Sequence, residues 1–421
     1  MKIPYIGDHR RQGNLWLISY VSCLLIPWML VASRSFADAL CIVISLCFLL
    51  RSIQQHDWTW TKDPIVKIAL IAWIWMLVAV SPFAADVGES YKVALPWVRW
   101  ILMYAALRHW ILLEEPAIKG AAFNIAALAL LSIIDTLWQY RFGTSLTHHA
   151  VAEQYRLTGP MVGPKIGIFL AKLCFPTFGI FFYLSMGTPR LRYRIAALCY
   201  LALCIGTVML SGERTAFFSS LVGLFVVAVT IAITDRKLRR TSLGLLAIVI
   251  GSSLALLMTQ LPLQDRLMFL SHQIADFGQS AYGQLFQVGY WIGMEHWQTG
   301  AGFKGFRLLC LNYQQSGAAH DCNIHPHNPY IEWFAETGAF GLCLFVALIA
   351  AMVHSAIHYI HISTGRERVL AAFVLATLVV HFFPFLGTQS FFSNWPALLL
   401  WYSVSMALAS LNMIASCDSK N

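Results

Sequence analysis

Residues 215–234 read TAFFSSLVGLFVVAVTIAIT, twenty positions without an ionisable side chain, bounded by Glu213-Arg214 on one side and Asp235-Arg236-Lys237 on the other. A helix of about 20 apolar residues crosses the roughly 30 Å hydrocarbon core of a bilayer. A run that is apolar on every face suits lipid and not the surface of a soluble domain. Outward from this stretch the same pattern recurs, and twelve spans are expected: 15–33, 36–51, 65–82, 94–113, 120–139, 166–186, 194–211, 215–234, 241–260, 338–359, 368–386 and 395–415. The N-terminal MKIPYIGDHRRQGN is basic, but no small-residue cleavage site follows its apolar run, so that run is read as a first span and not as a removed signal.

Composition agrees. The chain is 58% hydrophobic and 12% charged, against a soluble norm of about 45–50% and about 25%. This excludes a disordered chain, a collagen-like fibre and a small disulfide scaffold. The net charge of +9 has a membrane explanation, because basic residues gather in cytoplasmic loops. No Lys/Arg run with interleaved aromatics offers a nucleic-acid site. With the N-terminus inside, the basic residues fall on the inner side at every turn. Examples are Arg51, Lys62 and Lys67, then Arg190, Arg192 and Arg194, then Arg236, Lys237, Arg239 and Arg240. The outer turns hold few, among them Arg34, Lys92 and Arg214. Both termini are therefore expected inside.

Two outer segments exceed what a turn requires: about 141–165, and 261–337. The chain divides accordingly into spans 1–5 (1–139), an outer segment with spans 6–9 (140–260), a large helical outer loop (261–337) and spans 10–12 (338–421). No internal repeat of the kind found in many carriers is visible. Most of the ten cysteines read as small buried hydrophobes. Cys310 and Cys322 both lie in the large loop and are expected to pair if that side is oxidising.

Polar residues concentrate in His325-Pro-His-Asn-Pro-Tyr-Ile-Glu-Trp-Phe-Ala-Glu-Thr-Gly338. Asn328 is a good N-cap and Pro329 a good first helical residue, so a helix should begin there. His327 then precedes a helix N-terminus, whose dipole disfavours imidazolium. A neutral imidazole so placed can take a proton from a hydroxyl, although capping or packing would also account for it.

Arg156, Arg214 and Arg266 border apolar segments on the outer side, and Arg99 and Lys172 lie within spans. Ionisable groups at such positions are costly and point to function. Converging guanidinium groups suit phosphate or pyrophosphate. Snorkelling, or pairing with Glu213 and Asp265, is the plainer alternative. There is no metal-ligand spacing, no P-loop, no dinucleotide fingerprint and no His-Glu-x-x-His, so neither metal nor cofactor is expected.

HNPYIEWFAETGAFGLCLF (327–345) resembles the hallmark of the O-antigen ligase and polymerase family of membrane glycosyltransferases: His-Asn, a helix, then Glu-x-Gly-x-x-Gly-Leu leading into a span. RLTGPMVGPKIG (156–167), SGERTAFFSSLVGLFV (211–226) and TGAGFKGFR (299–307) resemble further elements of that family, in the same order. Two positions depart from the pattern. Tyr282 or Gln284 stands where members often carry arginine, and Lys165 stands where asparagine is expected.

The resemblance implies an all-α, GT-C-like polytopic membrane protein and a glycosyltransferase of the ligase kind. Its donor would be an undecaprenyl-diphosphate-linked glycan and its acceptor lipid A–core, on the periplasmic face of the bacterial inner membrane. His327, Arg214 and Arg266 would be catalytic, with Arg156, Lys172, Arg99, His325, Asn328 and Lys304 contacting substrate. A polymerase or a protein-glycosylating relative remains an alternative, and a carrier of lipid-linked substrate a more distant one.

Overall fold

A computed structural model of the chain describes residues 9–152, 156–240, 242–244, 246–247, 250–251, 277–315, 322, 325–385, 387 and 389–414. Among these residues the only β pairing is two isolated bridges, Thr144 with Ala150 and Ala152 with Arg156. The helices are α1 (His9–Ala32), α2 (Arg34–Gln54), α3 (Pro64–Trp75), α4 (Val87–Ala94), α5 (Val98–Ala106), α6 (Glu115–Phe142) and α7 (Ile166–Met186). After them come α8 (Leu191–Leu210), α9 (Arg214–Thr234), α10 (Ala281–Glu295), α11 (Gly305–Gln315), α12 (Pro329–Ile362), α13 (Gly365–Phe382) and α14 (Asn394–Ser410).

Local chemistry sets several of their ends. The Asp63 side chain accepts the Ile65 N–H at 2.9 Å, and Pro64 opens α3. At the end of α6, Gly143 takes the left-handed conformation (φ 81°) that stops a helix. The Asn328 Oδ1 accepts the N–H groups of Tyr330 and Ile331 at 2.9 and 3.2 Å, so α12 begins where Asn328-Pro329 predicts. At Gly338 (φ 74°) that 34-residue helix kinks. Its first part is polar, and the long apolar stretch follows the kink.

Among the described residues, nine helices are long and apolar enough to cross a membrane. They coincide with nine of the twelve expected runs. The other three fare differently. The run at 94–113 is broken by Pro96 into α4, a 3-10 turn (Leu95–Trp97), α5 and a π turn (Leu107–Ile111). The run at 368–386 forms α13, which opens with Arg366, Glu367 and Arg368. The run at 241–260 lies mostly outside the described residues.

Helix α14 is the axis of the bundle. Of the best apolar window in Asn394–Ile414, 94% is buried by other helices, which α5 and α7 help to supply. Helix α13 lies against α7, α9 and α12. Close approach there depends on a small residue: a Cβ on Gly223 of α9 would lie 2.7 Å from Val380 Cγ2 of α13. Lipid gives helices no hydrophobic drive to associate, so such contacts carry the packing. Exposed apolar side chains such as Phe36, Val78 and Ile233 face outward, as a lipid-bathed surface requires.

Candidate functional site

The α8–α9 turn, Ser211-Gly212-Glu213, is held from two sides. The Leu157 N–H donates to Ser211 O at 3.0 Å and fixes the segment that carries Arg156. That segment is in turn pinned to α6, because Gln139 Oε1 accepts the N–H groups of Thr158 and Gly159, both at 2.9 Å. The buried Glu213 carboxylate accepts the first N–H groups of α7, from Gly167 at 2.6 Å and Ile168 at 3.3 Å. A Cβ on Gly167 would meet Ser211 Oγ at 2.4 Å, so the turn seats only against a glycine.

Around this carboxylate stand three cations. Arg156 and Lys165 both act on Glu213 electrostatically, and Arg156 acts on Arg214, the first residue of α9. Burial nevertheless pushes the Glu213 carboxyl up to about 7, against the pull of the Gly167 and Ile168 N–H groups and of Arg156 and Lys165. Burial, and then Arg34 beside it, push the Lys165 amine below its ordinary value. The Lys165 Nζ also sits 5.3 Å from the Trp395 ring centre.

His327 has a left-handed backbone (φ 58°), uncommon for a residue with a Cβ. Its ring centre lies 4.0 Å from that of the buried His325 and 5.4 Å from that of Tyr282, the latter at 87°. Beyond it, the first turns of α12 grip the segment between α13 and α14. Asn328 Nδ2 donates to Pro384 O at 2.7 Å, and Tyr330 OH donates to Phe382 O at 2.6 Å. The Glu332 carboxylate accepts the Ser390 hydroxyl and the Phe391 N–H.

Tyr282 stands at the histidine cap, where its ring meets His327. Gly387 lies against the same ring and lines a cleft together with Thr215, the neighbour of Arg214. The arginine turn and the histidine cap therefore border one region. Next to Arg214, Thr215 lines this small cleft with Ile168, Lys172, Ser219, Gly387 and Gln389. Lys172 thus faces a cleft that begins beside the arginines, and His381 of α13 interacts electrostatically with it.

Three expected residues fall elsewhere or cannot be placed. Arg99 was expected to contact substrate, and the structure shows its guanidinium engaged by protein groups. Its side chain is 9% exposed and donates to Asp38 at 2.8 Å, Pro96 O at 2.6 Å and Asn394 at 2.9 Å, so it ties α5 to α2 and α14. Lys304 pairs with Glu89 at 2.6 Å. Lys304 and Lys92 together hold that carboxyl at about 2, well below its ordinary range. Arg266 lies outside the described residues, as does its neighbour Asp265.

Cys310 and Cys322 are joined, with Cα atoms 5.7 Å apart. Among the described residues no three His, Cys, Asp or Glu side chains gather as metal ligands. Reading the sequence missed Glu213 as the acceptor of the first N–H groups of α7, and missed Lys165 as a neighbour of that carboxylate. The adjacency of Glu213 to Arg214 and the unusual Lys165 were the only marks of this.

The model of the O-antigen ligase family matches residues 199–346. This stretch carries Arg214, Lys304, both paired cysteines, His325, His327 and Asn328, and ends inside α12. The match supports membership of the O-antigen ligase family and a glycosyltransferase-type activity in O-antigen processing. A comparison with curated proteins finds no match.

Proposed function

We propose that this chain, matched over 199–346 to the O-antigen ligase family, is an inverting glycosyltransferase. It moves O-antigen from undecaprenyl diphosphate onto lipid A–core, at the periplasmic face of the bacterial inner membrane. The observation that carries this reading is that His327, packed on Tyr282, and the turn of Arg214 border one region, through Gly387 and Thr215 of a shared cleft.

In the reaction, His327 takes the proton of the acceptor hydroxyl as its oxygen attacks the anomeric carbon. The bond from that carbon to the phosphate oxygen breaks, and undecaprenyl diphosphate leaves with the electron pair. Arg214 and Arg156, with Arg266, neutralise the charge that grows on the leaving group. The donor is already activated, so neither nucleotide nor metal has a task. The cleft beside Lys172 receives the part of the donor nearest the membrane.

The test is transfer by purified protein from lipid-linked glycan to core lipid. Arg214→Ala and His327→Ala proteins that are made and inserted normally should lose it. Normal transfer by either overturns the assignment. Gene deletion separates the alternatives. Loss of all O-antigen from the core marks a ligase, and one retained repeat marks a polymerase. Intact lipopolysaccharide beside an unglycosylated protein marks a protein-modifying relative.

A further inference from the structure

We infer that Tyr282 is a positioning residue, whose ring fixes the imidazole of His327. The inference rests on the assignment of His327 as the proton acceptor.

His327 needs such a support. Its left-handed backbone is sparsely populated for a non-glycine residue and persists only where its surroundings impose it. On the chain side, Asn328 caps α12 and fixes where the histidine begins. On the ring side, His325 and Tyr282 form two walls, with centres 4.0 and 5.4 Å away. The 87° angle between the Tyr282 and His327 rings is the edge-to-face geometry that aromatic quadrupoles favour.

Tyr282 is itself held. It lies in the first turn of α10, whose N-cap Ser280 accepts the Gly283 N–H at 3.1 Å. Behind it is Gly387, where an added Cβ would lie 3.1 Å from Tyr282 Cε1 and 3.4 Å from Cζ. The tyrosine therefore stands between the α13–α14 segment and the histidine, with no room to retreat. One side chain thus sets the orientation of the group that accepts the proton.

This assigns different work to the ring and the hydroxyl. Orientation belongs to the ring, so Tyr282→Phe should keep kcat close to wild type. Tyr282→Ala should lower kcat by about 10- to 100-fold, the cost of a misplaced reacting group, with KM little changed. Gly387→Val sets a side chain against Tyr282 and should also lower kcat, and, because Gly387 lines the cleft beside Lys172, it should raise KM as well. Wild-type kcat in both Tyr282→Ala and Gly387→Val overturns the inference, as does an equal loss in Tyr282→Phe and Tyr282→Ala.

A second readout does not depend on activity. In protein labelled at histidine, the His327 resonance, identified by its loss in His327→Gln, should move in Tyr282→Ala and stay in Tyr282→Phe. An unmoved resonance in Tyr282→Ala overturns the positioning role. A wild-type protein without transfer activity, but with a resonance that moves, would instead count against the proposed reaction alone.

Discussion

The carboxylate of Glu213 accepts the backbone N–H of Gly167 at 2.6 Å, across 46 residues of sequence. This bond couples the turn that presents Arg214 to the start of α7, the helix that carries Lys172. Removing the acceptor in Glu213→Ala leaves the Gly167 and Ile168 N–H groups buried without it. Each such orphan costs about 1–3 kcal/mol. Thermal unfolding of the purified protein should show the loss, and transfer activity should fall with it. A variant as stable and active as wild type would remove Glu213 from the scaffold of the site.

The same carboxyl gives a pH dependence with a definite sign. Its value is raised from 4.5 to about 7 by burial. Between those values the folded protein holds a proton that the unfolded chain releases, so stability falls as pH rises through the window. The contribution is full below about 4.5 and lost above about 7. Glu213→Gln cannot ionise and escapes the loss. Its melting temperature relative to wild type should therefore climb between pH 5 and pH 8, and a constant difference across that range would contradict the buried carboxyl.

Asn328 does two tasks, capping α12 through Oδ1 and holding Pro384 O through Nδ2. Asn328→Ala should lose both, with the cap alone worth about 0.5–2 kcal/mol. Asn328→Asp keeps the cap and loses the donor, so it should be the milder variant. Denaturation midpoints and kcat should fall in the order wild type, Asp, Ala. Equal loss in the two variants would mean that the grip on Pro384 alone matters.

Arg99 separates structure from substrate contact. With Asp38 it forms a largely buried ion pair, and breaking such a pair from one side costs about 3–5 kcal/mol. Arg99→Ala should be strongly destabilised, and Arg99→Met combined with Asp38→Leu much less so. If Arg99→Ala instead melts like wild type but has lost transfer, the guanidinium touches substrate after all.

Transfer should survive EDTA and rise with pH through the range where His327 gives up its proton. The unperturbed imidazole value is about 6.5. Activity should therefore fall on the acidic side, where the ring is charged and cannot accept a proton. Activity abolished by EDTA and restored by Mg²⁺ or Mn²⁺ would refute a leaving group neutralised by arginines. An acidic limb retained in His327→Gln would identify another base.

The sequence by itself determined what depends on neighbours within a few positions or on a continuous run. The uninterrupted apolar stretch at 215–234 makes α9 a span, because a helix satisfies its own backbone in lipid. Asn328-Pro329 opens α12, because cap and first turn lie within four residues. Cys310 and Cys322 meet across a short intervening segment. The tertiary structure alone decided which charges serve the scaffold and which face the cleft. Arg99 resembles the other membrane arginines in sequence, yet Asp38, 61 positions away, and Asn394, 295 positions away, take its donors. Tyr282 carries no local mark of its place between His327 and Gly387. The physical reason is that such groups are brought together by the packing of helices distant in sequence. No local pattern encodes that packing, because each helix satisfies its own backbone whichever neighbour it finds.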